Sequence, residues 1–194
     1  MKYKYKLGVV ITRAQPVHLA HLEYVRSMCE SCERILVIIG SSNESGKKRH
    51  PFTAEDREAM VTEAIAEMFP DDLERIMIRL LPDQTTANND DNPLWGQYVC
   101  DHVLEWTGET EFTYFTGESL EQAQKWFGDK IGTRVTLVLE RFPHLPSDLS
   151  ATNVREAIIR GDWDWLSVRV PGSVLKRYWK LQRILLLIYG RDDT

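Results

Sequence analysis

Two of the five histidines lie three residues apart, where the sequence predicts that a helix begins. His18 and His21 follow Arg13 in the segment TRAQPVHLAH, which comes directly after an apolar run. Side chains three residues apart on a helix face the same way. The free N–H groups of a helix start also attract anions. Together with Arg13, the two imidazoles could cradle a triphosphate. A capped turn with incidental histidines and a two-histidine metal site are the alternatives that the spacing leaves open.

A polar loop follows the second apolar run. It contains Gly40-Ser41-Ser42 and then the basic run Lys47-Lys-Arg49-His50. A loop of this composition could close over an anionic substrate. It could equally be an ordinary solvated loop.

Two further helix starts carry side chains suited to nucleotide binding. Asn92-Pro-Leu-Trp95 combines an N-cap residue, a proline at the first helical position and an indole that could stack on a planar ring. Ser150-Ala-Thr152-Asn-Val-Arg155 combines capping hydroxyls with a guanidinium. A tryptophan packed against a sheet and a plain capped helix with a surface arginine are the alternatives.

These segments belong to a chain in which buried strands alternate with helices. The strands are predicted at residues 5–12, 34–39, 75–81, 111–116 and 134–139, and one continuous helix is predicted at residues 173–189. This alternation is typical of an α/β fold, a Rossmann-like, doubly wound, parallel five-stranded sheet with a helical C-terminal subdomain. We place the Rossmann-like domain at residues 1–146 and the subdomain at residues 147–194. Ligands bind at the carboxyl ends of such strands, so the polar segments should meet at one edge.

Charge and apolar patterning exclude several classes of protein. The 24 Lys and Arg against 29 Asp and Glu give a net charge of −5, which disfavours non-specific binding to nucleic acid or membranes. No apolar run reaches the ~18 residues that a membrane span needs. Cys29 and Cys32 have C-x-x-C spacing, but they fall at the end of a predicted helix, where a redox motif is not expected. We interpret the cysteines as reduced thiols of a cytoplasmic protein, with no nucleic-acid or membrane partner.

Taken in order along the chain, the motifs resemble those of a known enzyme group. The sequence is similar to the nucleotidyltransferase superfamily with the motifs HxGH and ISxTxxR, and within it to archaeal-type nicotinamide-mononucleotide adenylyltransferases. The matching segments are TRAQPVHLAH, GSS, HPFTAEDREAM, NPLW and SATNVREAI. The chain departs from the pattern at Ala20, which replaces the glycine between the histidines, and at Thr12, Ala151 and Asn153.

The resemblance implies transfer of the adenylyl group of ATP to nicotinamide mononucleotide, giving NAD and pyrophosphate. It implies catalytic roles for Arg13, His18, His21 and Arg155, and further ATP contacts from Gln15, Ser41, Ser150 and Thr152. It assigns Arg49, Asn92 and Trp95 to the mononucleotide. It also implies Mg²⁺, bound mainly through ATP phosphates with no protein metal ligands, and a homo-oligomer.

Two other functions remain open at this point. One is another adenylyl- or cytidylyltransferase of the same fold, although Trp95 with Asn92 favours a planar ring that carries an amide. The other is a catalytically weakened nucleotide-binding sensor, because the methyl group of Ala20 replaces a motif glycine.

Overall fold

Five parallel strands form one sheet in the order β3-β2-β1-β4-β5. The structure is a computed structural model that describes residues 2–84 and 94–190. The strands are β1 (Tyr5–Thr12), β2 (Cys32–Ile39), β3 (Ile76–Leu80), β4 (Phe112–Thr116) and β5 (Val135–Leu139). The predicted Rossmann-like parallel sheet is therefore confirmed.

Eight α-helices are described around this sheet. They are α1 (Leu19–Ser31), α2 (Ala54–Met68), α3 (Trp95–Thr107), α4 (Leu120–Phe127), α5 (Ala151–Arg160), α6 (Trp163–Ser167), α7 (Gly172–Leu175) and α8 (Tyr178–Tyr189). Three of them have a side-chain cap, because the hydroxyls of Thr53, Ser119 and Ser150 accept hydrogen bonds from first-turn N–H groups of α2, α4 and α5. For Ser150 the sequence predicts this cap.

The sheet has an apolar layer on each face, because successive strand residues point to opposite sides. Val10 of β1 packs with the core that holds α1, α2 and the C-terminal helices. Val9 faces the other core, which holds α3 and α4. The edge of the sheet at the carboxyl ends of its strands is therefore bordered by α1 on one face and by α3 and α4 on the other.

The C-terminal helical segment is interrupted, so the prediction of one helix at residues 173–189 is wrong. α7 ends at Leu175 and α8 begins at Tyr178. The hydroxyl of Ser173 donates to the carbonyl oxygen of Met60 at 2.8 Å, and Arg177 forms an ion pair with Glu63. These bonds attach α7 to α2, while α8 continues along α5. The boundary at residues 146 and 147 stays a prediction.

None of the described helices is long and apolar enough to span a membrane. The three cysteines are free thiols. Burial, together with a hydrogen bond to Asp72, raises the pKa of Cys29 to about 12, and burial also raises the pKa of Cys32. Neither side chain is poised as the thiolate that redox or zinc chemistry needs.

A close approach of α3 to the end of α4 depends on Gly96. A Cβ atom at this position would overlap the carbonyl oxygen of Trp126, and it would lie 3.0 Å from the Cα of Phe127. Ala normally stabilises a helix by about 1 kcal/mol relative to Gly. At Gly96 we expect alanine to destabilise the protein instead, because the backbone of α4 would have to move.

Gly96→Ala should lower the free energy of unfolding by about 2 kcal/mol, as overpacking in a core does. Urea denaturation measures this change. Glu105→Ala, on the exposed side of the same helix, is the control and should unfold as the wild type does. A Gly96→Ala protein as stable as the wild type would show that α3 and α4 are not in close contact.

Candidate active site

A cavity of about 470 Å³ opens at the carboxyl ends of β1, β2 and β4, and we call it the strand-end cavity. α1 contributes His21 and Tyr24 to its wall, and α3 contributes Trp95. Of the predicted site residues, the lining includes Arg13, His21, Ser41 and Trp95. The topology brings these residues together because parallel strands end at one edge.

The loop after β1 is fixed by side-chain to backbone bonds. The N–H of Ala14 donates to the hydroxyl of Thr12 at 3.1 Å. The amide of buried Gln15 pairs with both backbone groups of Phe52, accepting from its N–H at 3.1 Å and donating to its carbonyl at 3.3 Å. Gln15 therefore joins this loop to the segment that enters α2.

The two motif histidines are stacked, with ring centroids 3.8 Å apart. The backbone N–H of His18 donates to Nδ1 of His21 at 3.1 Å. When the His21 ring is neutral, its hydrogen is therefore on Nε2, which makes that atom a donor. His21 lines the strand-end cavity, whereas His18 is buried beside it. Ala20, the departure from the motif, is the second residue of α1 and half-buried.

Burial keeps both imidazoles neutral in the free protein. It lowers the pKa of His18 to about 4. Burial and the proximity of His18 hold the pKa of His21 well below its ordinary value. The pair therefore enters any reaction near pH 7 as neutral hydrogen-bonding groups. A bound anion would raise their pKa values and so favour uptake of a proton from solvent.

A buried arginine that the sequence analysis left without a role connects the two loops. Arg57 of α2 is fully buried. Its Nη1 donates to the carbonyls of Arg13 at 2.9 Å and Gly40 at 2.8 Å, and its Nη2 donates to that of Ser41 at 3.0 Å. Its Nε donates to the carbonyl of Thr53 at 3.2 Å. The loops after β1 and β2 are thus held at one fixed separation.

The two loops that Arg57 holds each contain a non-glycine residue with positive φ. These are Ala14, at φ 46°, and Ser41, at φ 51°. Residues with a Cβ disfavour this conformation by about 1–2 kcal/mol. The bonds from Arg57 to the neighbouring carbonyls offset that cost.

Arg155 brings the C-terminal motif to the loop after β1. Its Nη1 donates to the carbonyl of Gln15 at 2.9 Å, and its Nη2 to the hydroxyl of Thr152 at 3.2 Å. Ser150 caps the same helix and accepts from the N–H of Asn153. The predicted meeting of residues far apart in sequence is therefore present for Arg155 and Gln15.

The basic loop divides into two parts. Lys47 pairs with Glu44, and Lys48 lies over the ring of Tyr189. Arg49 is exposed, and it acts with Arg13 on the neighbouring His50. Burial, followed by the charges of Arg13 and Arg49, lowers the pKa of His50. Arg13 and Arg49 thus act on the same imidazole. Asn92 lies outside the described residues.

Buried polar atoms without a hydrogen-bond partner concentrate around this site. Over residues 2–84 and 94–190 the side-chain atoms of this kind are His18 Nδ1, His50 Nδ1, Trp126 Nε1, Glu140 Oε2, Arg155 Nε and Arg169 Nε. Four of the six belong to the motif segments or to the cavity wall. An unsatisfied buried polar atom is costly, and sites that receive a polar ligand are where such atoms are tolerated.

One wall of the cavity contains none of the residues that the sequence predicted. It is formed by Thr116 at the end of β4, by Gly117 and Glu118 after it, and by Gln122 and Trp126 on α4. The rule that ligands meet the carboxyl ends of strands also covers β4. It was the signal that could have found these residues.

Comparison with protein families agrees with this geometry. The cytidylyltransferase-like family model matches residues 9–157, which run from the second half of β1 to most of α5. The chain belongs to the cytidylyltransferase-like family. This confirms the family that the motifs predicted.

Curated relatives of this cytidylyltransferase-like protein cover nearly the same length. A nicotinamide-nucleotide adenylyltransferase of Pyrococcus horikoshii is 30% identical over 172 residues, which is 87% of this chain and 80% of that protein. The nicotinamide-nucleotide adenylyltransferase of Pyrococcus furiosus is 28% identical over 191 residues, 97% of this chain and 93% of that protein.

Solved structures share the fold at lower identity. One is a bifunctional NMN adenylyltransferase/ADP ribose pyrophosphatase of Francisella tularensis complexed with AMP and a manganese ion, with a TM-score of 0.59, 20% identity, and coverage of 81% of this chain and 42% of that one. NadR protein in complex with NAD and AMP-PNP gives a TM-score of 0.60 at 19% identity, over 92% of this chain and 48% of that one. The chain spans about half the length of these two structures.

Removal of the Arg57 guanidinium should destabilise this cytidylyltransferase-like protein strongly. Arg57→Met keeps similar volume but leaves the carbonyls of Arg13, Gly40 and Ser41 without this donor, so we expect a loss of about 3 kcal/mol or more. Chemical denaturation measures it. Lys125→Met, which removes an exposed charge on α4, should change stability by less than about 0.5 kcal/mol. Equal effects would mean that Arg57 does not hold the loops.

The stacked histidines predict how stability changes with pH. Because their folded pKa values lie below the unfolded value of about 6.5, the unfolded chain binds more protons in this range, and stability falls as pH falls from about 6.5 towards 4. His18 alone accounts for up to about 3 kcal/mol of this loss.

Denaturation curves between pH 4 and 8 test this expectation. His18→Asn should flatten the pH dependence, while Gln124→Asn, at an exposed position on α4 without a titratable group, should leave it unchanged. A His18→Asn protein that keeps the full slope would contradict the buried neutral pair.

Proposed function

We propose that this protein transfers the adenylyl group of ATP to nicotinamide mononucleotide, giving NAD and pyrophosphate. One observation carries the proposal: the strand-end cavity has a hydrogen-bond-donating side, with the cation Arg13 and the neutral imidazole of His21, and an aromatic side, with Trp95. ATP and a pyridine mononucleotide need those two environments next to each other.

The position of the cavity in the sheet fits a two-nucleotide site. The chain runs from β1 outwards to β2 and β3, and then crosses back to β4 and β5 on the other side of β1. Ligands of doubly wound sheets bind where the strand order reverses in this way. The cavity lies at this reversal, since its lining includes the ends of β1, β2 and β4.

We assign the triphosphate of ATP to the start of α1. Arg13, His18 and His21 would contact its phosphates, with the Nε2–H of His21 near the α-phosphate, where negative charge develops. Arg155 would hold the β- and γ-phosphates that leave as pyrophosphate, since its planar fork suits phosphate oxygens. The support is its bond to the carbonyl of Gln15 and its unpartnered Nε.

The reaction requires no covalent enzyme intermediate. The 5′-phosphate of the mononucleotide is already largely ionised at pH 7, and it attacks the α-phosphorus of ATP as the bond to pyrophosphate breaks. Catalysis then consists of positioning and of stabilising charge. The neutral imidazole of His21 suits this task, because it donates a hydrogen bond without requiring a charged group in the free site.

The remaining predicted contacts are parts of the same proposal. Ser41 lines the cavity, and we keep it as an ATP contact with Ser150 and Thr152. Since the side-chain amide of Gln15 is engaged by Phe52, its contribution would come through the shape of the loop. Arg49 would meet the mononucleotide phosphate.

We assign the pyridine ring to the aromatic side of the cavity. Trp95 would stack on the ring, and the assignment of its carboxamide to Asn92 stays a prediction. Trp95 lies at the first residue of α3, buried at 4% exposure within the cavity wall. This observation favours a planar acceptor over an alcohol phosphate.

A divalent cation and a second copy of the chain complete the proposal. Mg²⁺ would reach the site on the phosphate oxygens of ATP and neutralise part of their charge. Homo-oligomer formation is supported by the apolar residues Trp179, Leu186 and Leu187, which α8 exposes on one side. We keep the cytoplasm as the proposed location.

Arg155→Lys should lower the turnover of ATP and nicotinamide mononucleotide to NAD by about 100-fold, because a single ammonium group replaces a bidentate donor to the leaving group. NAD is measured by enzymatic reduction to NADH, and folding is checked by circular dichroism. Arg160→Lys, on the exposed side of the same helix, should retain wild-type turnover.

Near-normal turnover by a folded Arg155→Lys protein would remove its role on pyrophosphate. Failure of the wild type to form NAD would overturn the proposed function as a whole.

A further inference from the structure

One face of α4 forms the cavity wall to which the sequence motifs assign no role. Glu118 precedes the helix, and Gln122 and Trp126 follow at four-residue steps, all three lining the strand-end cavity. Residues four apart on a helix face the same way. This stripe therefore presents a carboxylate, an amide and an indole to the ligand.

Trp126 belongs to the same side of the cavity as Trp95, whereas the stripe begins near Tyr24, on whose hydroxyl Glu118 acts. Trp126 packs against the core of α3 and α4, where Trp95 is buried. Gly96 directly follows Trp95 and lies against the backbone of Trp126, so the two indoles are held on adjoining elements. His21 and Tyr24 enter the cavity from α1, on the other face of the sheet.

Trp126 carries a hydrogen-bond donor without an acceptor. Its Nε1 is buried, and it has no partner among the described residues. An indole N–H can only donate, and buried indoles usually find an acceptor. A ligand oxygen in the cavity that Trp126 lines would satisfy this atom.

Side chains of both charges line the cavity. The basic side chains of its described lining are Arg13 and His21, and the acidic ones are Asp83 and Glu118. Glu118 thus offers a hydrogen-bond acceptor to an NH₂ group, whereas neither Glu118 nor the two indoles offer a cation to a carboxylate. A nicotinamide ring is a pyridinium cation with a neutral carboxamide, whereas nicotinate places a negative charge at the same position.

We propose that Glu118 and Trp126 select nicotinamide mononucleotide over nicotinate mononucleotide. The N–H of Trp126 donates to the carboxamide oxygen, Glu118 accepts from the carboxamide NH₂, and the indoles of Trp95 and Trp126 border the cationic ring. Glu118 repels the carboxylate of nicotinate. This assignment rests on the proposed adenylyl transfer and identifies its preferred acceptor.

Steady-state kinetics with both mononucleotides test the assignment. The wild type should prefer nicotinamide mononucleotide by at least about tenfold in kcat/KM, since like charges brought together in a site disfavour the wrong substrate. Trp126→Phe keeps an aromatic ring but removes the donor, so KM for nicotinamide mononucleotide should rise about fivefold to tenfold with KM for ATP unchanged. Glu118→Gln should reduce the preference about tenfold by improving use of nicotinate mononucleotide.

Two matched variants serve as controls. Glu121→Gln removes an exposed carboxylate on the same helix, outside the cavity lining. Trp163→Phe replaces a half-exposed indole on α6. Both should keep the wild-type preference and the wild-type KM values.

Three results would overturn the assignment: equal use of both mononucleotides by the wild type, an unchanged preference in Glu118→Gln, or a rise in KM for ATP alone in Trp126→Phe. If the wild type forms no dinucleotide, the proposed function fails. Calorimetric titration of each mononucleotide into wild-type, Glu118→Gln and Trp126→Phe proteins then still measures which mononucleotide binds more tightly. Tighter binding of nicotinamide mononucleotide supports the selection, and equal binding overturns it.

Discussion

The geometry of the whole site depends on one buried guanidinium. Arg57 reaches from α2 to the carbonyls that follow β1 and β2, and it thereby sets the distance between two loops that carry residues in disfavoured backbone conformations. Burial lowers the pKa of Arg57, but the carbonyl oxygens provide partners for the charged form. Five N–H donors in a fixed plane make arginine suited to this arrangement, which the single ammonium group of a lysine would not reproduce.

The proposed binding of two anionic substrates by a protein with a net charge of −5 requires positive charge near the site. The positive charge is local, since Arg13 and Arg49 both act on His50 beside the loop after β1. The stacked histidines add neutral donors rather than further charge, because burial keeps their pKa values low. The free site thus avoids strong repulsion between its arginines and charged imidazoles. Bound phosphate would raise the pKa values of the two imidazoles.

The sequence predicted the sheet well because buried parallel strands are continuous apolar runs. β1 at Tyr5–Thr12 has the predicted bounds. The interruption between α7 and α8 was missed because Ser173 and Arg177 fit a helical pattern, and only their bonds to α2 reveal the bend. Motif spacing found Arg13, His21, Ser41 and Trp95. It could not find the α4 wall, because a tryptophan at helical spacing is typical of a core residue until the fold places it beside a cavity.

The proposed reaction is a direct adenylyl transfer in a site that mainly positions its substrates. The stereochemical course at the α-phosphorus distinguishes direct transfer from transfer in two steps. The experiment uses ATP with sulfur replacing one α-oxygen in a defined configuration, together with nicotinamide mononucleotide. Attack by the mononucleotide phosphate in line with departing pyrophosphate predicts a dinucleotide with inverted configuration at this phosphorus. Retention would reveal two successive displacements through an enzyme-bound nucleotide and would exclude direct transfer.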